Sequence, residues 1–212
     1  ISLKSNNKVN KWLSMDTSLT YYRKDDDNLP VMGYGSSSIM YSLWCMAPNI
    51  NMDWARDYWI DPGVQQNANL TGAKNNPYFV AYECLNTLDR DRVYGNVAVT
   101  LDLHKNLTLD LRSGVDFYND FRTQQKPWYS SSYQYGYYKE QTVRNFEMNN
   151  DFLLTYKKRF GDFDLTASFG GNNMVYNYQN VQLTAKDGLQ EYNIFKISNS
   201  KSIPYSYARR SN

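Results

Sequence analysis

Residues 93–118 read VYGNVAVTLDLHKNLTLDLRSGVDFY, and this stretch decides the fold. Apolar residues alternate with polar ones on both sides of the short segment His104-Lys105-Asn106. Successive side chains of a β-strand point to opposite faces, so an alternation with a period of two indicates a strand with one apolar and one polar face. The stretch therefore predicts two antiparallel strands that are joined by a tight turn.

The same alternation returns along the rest of the chain, for example outward from Leu13. Together these segments predict strands near residues 1–6, 12–24, 90–103, 107–120, 142–158, 163–178 and 202–208. The segment 142–158 departs from the pattern, because Asn150 falls on its apolar face and Leu153 on its polar face. A small bulge or a patch that contacts protein accounts for this departure.

The connections between these strands alternate strictly in length. Short turns lie at 6–11, 104–106 and 159–162, whereas long connections span 25–89, 121–141 and 179–201. Tight turns at one end and long loops at the other are typical of outer-membrane β-barrels, and a soluble sandwich has no reason to collect its long loops at one end. The pattern therefore predicts an all-β fold, an antiparallel transmembrane β-barrel with long extracellular loops.

Composition excludes several other classes of protein. The chain has 212 residues, with 20 Tyr, 9 Phe and 5 Trp, and its net charge is only +2. Without a basic tract we expect no nucleic acid as a partner. No apolar run reaches the ~18 residues of a transmembrane helix. The chain opens at Ile1 without a signal peptide of the usual layout, so we interpret it as a processed product or an internal piece.

The connection 25–89 is the least strand-like part of the sequence. A structureless loop of this length is unusual, so we expect short helices near 38–46 and 51–59, the second capped by Asn51. Aromatic residues on such loops either stack on a sugar or grip a peptide, or they pack the loop into a compact cap. The candidate substrate contacts in the outer loops are Trp44, Trp54, Trp59, Trp128 and Tyr129.

Residues with metal-binding or catalytic chemistry are few. The consecutive aspartates at 25–27 lack the alternating spacing of a calcium loop, and Cys45, Cys84 and His104 do not make a convincing zinc site. The two cysteines form a disulfide or remain free thiols. No motif places a catalytic nucleophile or a carboxylate pair, so we predict no enzyme activity, no catalytic residue, no metal and no cofactor.

Several strings, in a fixed order along most of the chain, carry a resemblance to a known family. They are Asp27-Asn28-Leu29-Pro30, Asn75-Asn76-Pro77-Tyr78, the segment 89–97, Gly114-Val115-Asp116-Phe117-Tyr118, Asn150-Asp151-Phe152-Leu153-Leu154 and Phe169-Gly170-Gly171-Asn172. In this order they resemble the middle of the barrel in the SusC/RagA-like TonB-linked outer-membrane transporters of Bacteroidetes.

The resemblance implies a 22-stranded barrel with an N-terminal plug, energised by the TonB complex and lidded by a SusD-like surface lipoprotein. It implies active import of oligosaccharides or peptides through the outer membrane of a Gram-negative cell. Residues 1–212 are then the central part of the barrel domain, surrounded by outer-membrane lipid, and 25–89 is a long extracellular loop. We expect the plug domain and the TonB box outside this chain, so no family residue with a chemical role can be transferred.

Two other hypotheses remain open from the sequence. The first is an outer-membrane ligand-binding or adhesion barrel without active transport, and the second is a soluble carbohydrate-binding β-sandwich. A plug domain in about 300 upstream residues would favour the importer. Partition into buffer rather than detergent would favour the sandwich.

Cysteine labelling tests which face of each strand meets lipid. A lipid-soluble reagent should label cysteines placed on the apolar face, and a water-soluble reagent should label those on the polar face. The first set is Val97, Val99, Leu101, Leu109, Leu111 and Leu165, and the second is Asn96, Thr100, Asp110 and Arg112. The reversed labelling pattern would refute this orientation.

Overall fold

The computed structural model describes residues 1–67 and 74–211, and the part of the predicted loop at 68–73 lies outside these residues. Seven strands form one sheet: β1 (Ser2–Lys8), β2 (Leu13–Asp26), β5 (Asn86–His104), β6 (Leu107–Lys126), β7 (Tyr137–Phe160), β8 (Phe163–Ala185) and β9 (Tyr205–Ser211). Their order in the sheet is β1-β2-β5-β6-β7-β8-β9, with every neighbouring pair antiparallel. The all-β, antiparallel fold predicted from the alternation is confirmed.

The connections have the predicted arrangement. Short turns at 9–12, 105–106 and 161–162 lie at one end of the sheet, and the connections 27–85, 127–136 and 186–204 lie at the other, which we call the loop end. The strands extend farther toward the loop end than predicted, because pairing continues there after the apolar alternation has stopped. For example, Lys126 of β6 still pairs with Tyr137 of β7.

The strand register collects the alternating residues into two continuous faces. Residues directly opposite each other across an antiparallel pair share a face. Val99 lies opposite both Met15 and Leu111, and Leu111 lies opposite Phe152. We call this the apolar face. The polar face carries Thr100 and Asp110, which are also opposite each other and joined by a hydrogen bond of 2.6 Å.

The apolar face has the height of a membrane-spanning band. Along β6 it runs from Leu107 to Phe117, and its next member on the same face is Asn119. At about 3.3 Å per residue and a strand tilt of about 40°, this run corresponds to a height of about 25 Å, as in outer-membrane barrels. β6 continues beyond the band toward the loop end, where it carries polar side chains on both faces, such as Asn119 and Asp120.

Of the two explanations left open for the segment 142–158, a bulge or a protein-contacting patch, the bulge is excluded. Pairing of β7 with β6 and with β8 is unbroken along this segment. Asn150 is accommodated on the apolar face because the Ser113 hydroxyl opposite it donates a hydrogen bond of 2.7 Å to its side-chain oxygen. A polar side chain on this face is less costly when its hydrogen-bonding capacity is met by a neighbouring strand.

The connection 27–85, which we call the cap, is folded. It contains α1 (Ile39–Trp44), α2 (Met52–Arg56), α3 (Pro77–Glu83) and a small hairpin of β3 (Trp59–Asp61) and β4 (Gln65–Gln66). Both predicted helices are confirmed, though they are shorter than expected. The Asn51 cap of α2 is also confirmed, since its side-chain oxygen accepts from the Asp53 amide at 2.9 Å. Helix α3 was not predicted.

The two cysteines are free thiols, which decides between the alternatives left open by the sequence. Cys84 is buried in the cap together with Phe79 and Val80. Burial disfavours the thiolate and raises the pKa of Cys84 to about 12. This thiol therefore stays protonated and unreactive at neutral pH.

Helices long and apolar enough to cross a membrane do not occur in the part of the chain that the structure describes.

Substitution of two glycines tests the packing of the sheet. A Cβ atom on Gly95 would lie 2.2 Å from the Ser18 carbonyl oxygen, whereas on Gly114 its nearest contact would be 3.7 Å away. We expect Gly95→Ala to lower the free energy of unfolding by about 1–3 kcal/mol, since the β2 backbone must shift, and Gly114→Ala to be tolerated. Urea unfolding of the protein in detergent measures both, and equal effects would contradict the close approach.

Candidate functional site

The three long connections pack on one another at the loop end of the sheet. Side-chain and backbone hydrogen bonds join the cap to the connection 127–136. The third connection contributes Tyr192, whose ring lies on Gly63 of the cap and 6.1 Å from the ring of Trp128. The loop end is therefore one packed structure, and we take it together with the adjoining polar face as the candidate functional site.

Three buried amide side chains form the centre of this structure, which we call the amide hub: Gln66, Asn75 and Asn76. The Gln66 side-chain amide donates to Asn75 Oδ1 and to the Tyr129 carbonyl, both at 2.8 Å. Asn75 in turn donates to the Ser36 carbonyl at 2.7 Å and to Ser130 Oγ at 3.1 Å. Buried amides are tolerated because their partners are complete, and the hub thus joins the cap to its neighbouring connection.

Asn76 has a second role, at the start of α3. Its side-chain oxygen accepts from the Tyr78 amide at 2.9 Å, and Pro77 occupies the first helical turn, where its missing N–H costs nothing. Its side-chain amide donates to the carbonyls of Ala55 and Asn67. The string Asn75-Asn76-Pro77-Tyr78 therefore has a physical basis, although its buried amides gave no signal of their own in the sequence.

Two of the five predicted substrate contacts are partly buried and pack against other aromatic rings. The ring of Trp59 lies 5.1 Å from that of Phe79 in the core of the cap. Trp128 packs against Tyr135 and Tyr192, and its indole nitrogen is buried without an acceptor among the described residues. These two tryptophans support the packing interpretation of the aromatic cluster.

Trp44 and Trp54 are 75% and 60% exposed and remain available for contact. Trp44 belongs to a surface of exposed aromatic and Met side chains that sequence reasoning missed in part. Its members are Tyr34 and, one turn apart on α1, Met40 and Trp44, and we call it the cap patch. The Tyr34 ring lies 6.2 Å from that of Trp44, so the two form one aromatic unit. The fifth predicted contact, Tyr129, is partly exposed and has a positive φ of 62°.

The polar face below the cap carries a row of paired charges. The Arg90 guanidinium donates two hydrogen bonds of 2.7 Å to Asp120, whose side chain is fully buried. Asp120 also accepts from Arg122 at 2.5 Å. Arg92 pairs with Asp116 in the same bidentate geometry. Two-pronged pairs of this kind hold the side chains in fixed positions.

The acidic residues at the start of the cap pair with neighbouring basic residues. Asp26 forms an ion pair of 2.7 Å with Lys24, while Asp25 faces Arg23. Within residues 1–67 and 74–211, no three His, Cys, Asp or Glu side chains are arranged to hold a metal ion. The described part of the loop end thus carries exposed aromatic surfaces, buried amides and paired charges.

Comparison with known proteins identifies the fold. No protein-family model and no curated protein matches the sequence. Among solved structures, a chain of the RagAB peptide transporter matches with a TM-score of 0.70 and 19% identity, over 99% of this chain and 24% of that chain. Structures of the RagAB peptide importer in closed-closed and open-open states match with a TM-score of 0.66 each, at 18% and 20% identity.

These matches establish that the chain has the fold of part of a RagAB transporter chain and spans about 24% of its length. The predicted resemblance to the SusC/RagA-like family is confirmed at the level of the fold. The neighbours are described as a transporter and an importer rather than as enzymes.

Removal of the Asp120 carboxylate tests whether the charged row is structural. We expect Asp120→Ala to lower the free energy of unfolding by about 2 kcal/mol or more, because Arg90 and Arg122 lose their shared partner. The exposed pair Arg159–Asp164, at 3.9 Å, provides the control, and Asp164→Ala should change stability by less than about 0.5 kcal/mol. Urea unfolding in detergent measures both, and equal values would show that the row adds no stability.

Proposed function

We propose that these seven strands are part of the barrel wall of a TonB-dependent active importer in the outer membrane of a Gram-negative cell. The observation that carries the proposal is that a sheet with the RagAB fold has one apolar face and one charged face. An apolar band of membrane height lies on one face, and fixed charges lie on the other. Charges of this kind are stable toward a polar lumen and costly toward lipid.

The packed loop end supports a role in handling large solutes. A long connection without internal structure would be a flexible tether. The cap, in contrast, has its own core and is joined to the next connection by the amide hub. Preorganised loops lose less entropy when a ligand binds. We therefore propose that the cap and its neighbours form part of the extracellular entrance of the importer.

The same comparison supports a proposal for the class of solute and for the partners. The structural neighbours are described as peptide importers, so we propose oligopeptides as substrates in preference to oligosaccharides. A SusD-like surface lipoprotein is the proposed partner at the loop end, where the cap patch offers an exposed apolar surface. The TonB complex is proposed to act through a plug and a TonB box elsewhere in the protein, and outer-membrane lipid contacts the apolar face.

Uptake in cells tests active import against adhesion. The strain has the chromosomal gene deleted and is complemented with the gene on a plasmid. A fluorescent oligopeptide should enter these cells. A protonophore should abolish entry without abolishing binding at the surface. Surface binding without energy-dependent entry would instead establish the adhesion barrel. Entry of an oligosaccharide but not of the peptide would overturn the proposed substrate.

A pair of tryptophan variants locates the entrance. Trp44→Ala should lower peptide uptake several-fold, because an exposed aromatic anchor is removed from the cap patch. Trp12 is 54% exposed but lies in the short turn at the opposite end of the sheet, so Trp12→Ala should leave uptake unchanged at equal surface abundance. Loss of uptake in the Trp12 variant alone would place the entrance at the end of the short turns and contradict the proposal.

A further inference from the structure

A cleft of about 160 Å³ lies on the polar face at the loop end. One wall is the segment Leu29–Val31, where the chain enters the cap, and the floor is formed by the upper ends of β5, β6 and β7. The wall is attached to the sheet through Asn86, whose carbonyl accepts from the Leu29 amide at 2.7 Å. The cleft therefore has a defined shape.

Two cations line this cleft, Arg122 of β6 and Lys139 of β7. Arg122 lies opposite Gln141, and Lys139 lies opposite Gln124, so the two cations are diagonal neighbours on one face. The burial of Lys139, and secondly the positive charge of the nearby Arg122, lower the pKa of Lys139 below its ordinary value.

The negative charge at this position is smaller than the positive charge. Asp120 is shared between Arg90 and Arg122, and among the described residues no carboxylate forms an ion pair with Lys139. The neighbouring Glu140 points to the opposite face, where it accepts a hydrogen bond from Tyr138. Two of the three cations thus share one carboxylate and Lys139 pairs with none among the described residues, which leaves an excess of positive charge beside the cleft.

Arg122 also has hydrogen-bonding capacity that its partner does not use. One guanidinium nitrogen, Nη2, is bound to Asp120, whereas Nε is buried and donates to no acceptor in the described part of the chain. An unmet buried donor on a charged group is costly, and an anion would satisfy it. Arg122 lines the cleft, so an anion bound there lies next to this guanidinium.

We propose that this cleft binds a carboxylate group of the transported solute, held by Arg122 and Lys139. This inference rests on the proposed import function and names a chemical feature of its substrate. A carboxylate fits because it accepts in the plane of a guanidinium edge and at a lysine together. The group occurs at the C-terminus of a peptide and on the uronic acids of a glycan, so both solute classes can present it.

Matched ligand pairs test the proposal on the full-length protein in detergent. One pair is a tripeptide with a free C-terminus and the same tripeptide as its C-terminal amide. The other is a trisaccharide that ends in a uronic acid and its neutral counterpart. Calorimetry should give about tenfold tighter binding for the acid in one of the two pairs, and that pair identifies the source of the carboxylate. Equal affinities in both pairs would overturn the proposal.

Charge-removing variants assign the effect to the cleft. Lys139→Gln should reduce the affinity for the acid to that for its neutral partner. Arg144 is the control, because it lies on the same strand but on the opposite face, where it donates to Asn119. Arg144→Gln should retain the preference for the acid, and loss of the preference in both variants would place the effect in the general charge of the protein.

The outcomes separate this inference from the proposed function. Energy-dependent uptake without any preference for the acid would overturn the carboxylate site and leave the importer intact. A preference for the acid that Lys139→Gln abolishes, in a protein that takes up neither ligand class, would support the site and overturn the importer.

Discussion

The continuous antiparallel register of the seven-stranded sheet is the constraint on which the rest of the structure depends. A slip by one residue would move every side chain of a strand to the other face. It would place Asp110 and Asp151 among the apolar side chains and Leu111 and Phe152 among the charges. Because charged side chains are costly among apolar ones, the separation of the two faces favours a single register.

The same register organises the loop end. It brings the connections 27–85, 127–136 and 186–204 to one edge, where they can pack on one another. The amide hub then stabilises this packing with hydrogen bonds rather than with a large apolar core, since the buried core of the cap consists of Phe79, Val80 and Cys84 with a few partly buried neighbours. A polar centre suits a structure that carries exposed aromatic side chains and must remain in contact with water.

Charge on the polar face falls into two groups with different physical roles. Arg92 with Asp116, and Arg90 with Asp120, are closed bidentate pairs that hold the strands and offer little to a solute. Arg122 and Lys139 lie at the upper limit of this row, where positive charge exceeds negative charge and a cleft adjoins it. The charges of the described polar face are thus paired lower in the sheet, and the excess of positive charge lies at its loop end.

The sequence by itself determined the strands, their order, the short and long connections and the two faces, because alternation with a period of two and turn composition are local signals. It also indicated α1 and α2 and the Asn51 cap. Only the tertiary structure decided that Trp59 and Trp128 are packed while Trp44 and Trp54 are exposed, that Cys45 and Cys84 are free, and that Asn150 needs no bulge. The amide hub and the cleft beside Arg122 and Lys139 join residues from separate connections and strands, and contacts between segments far apart in the chain leave no periodic trace in it.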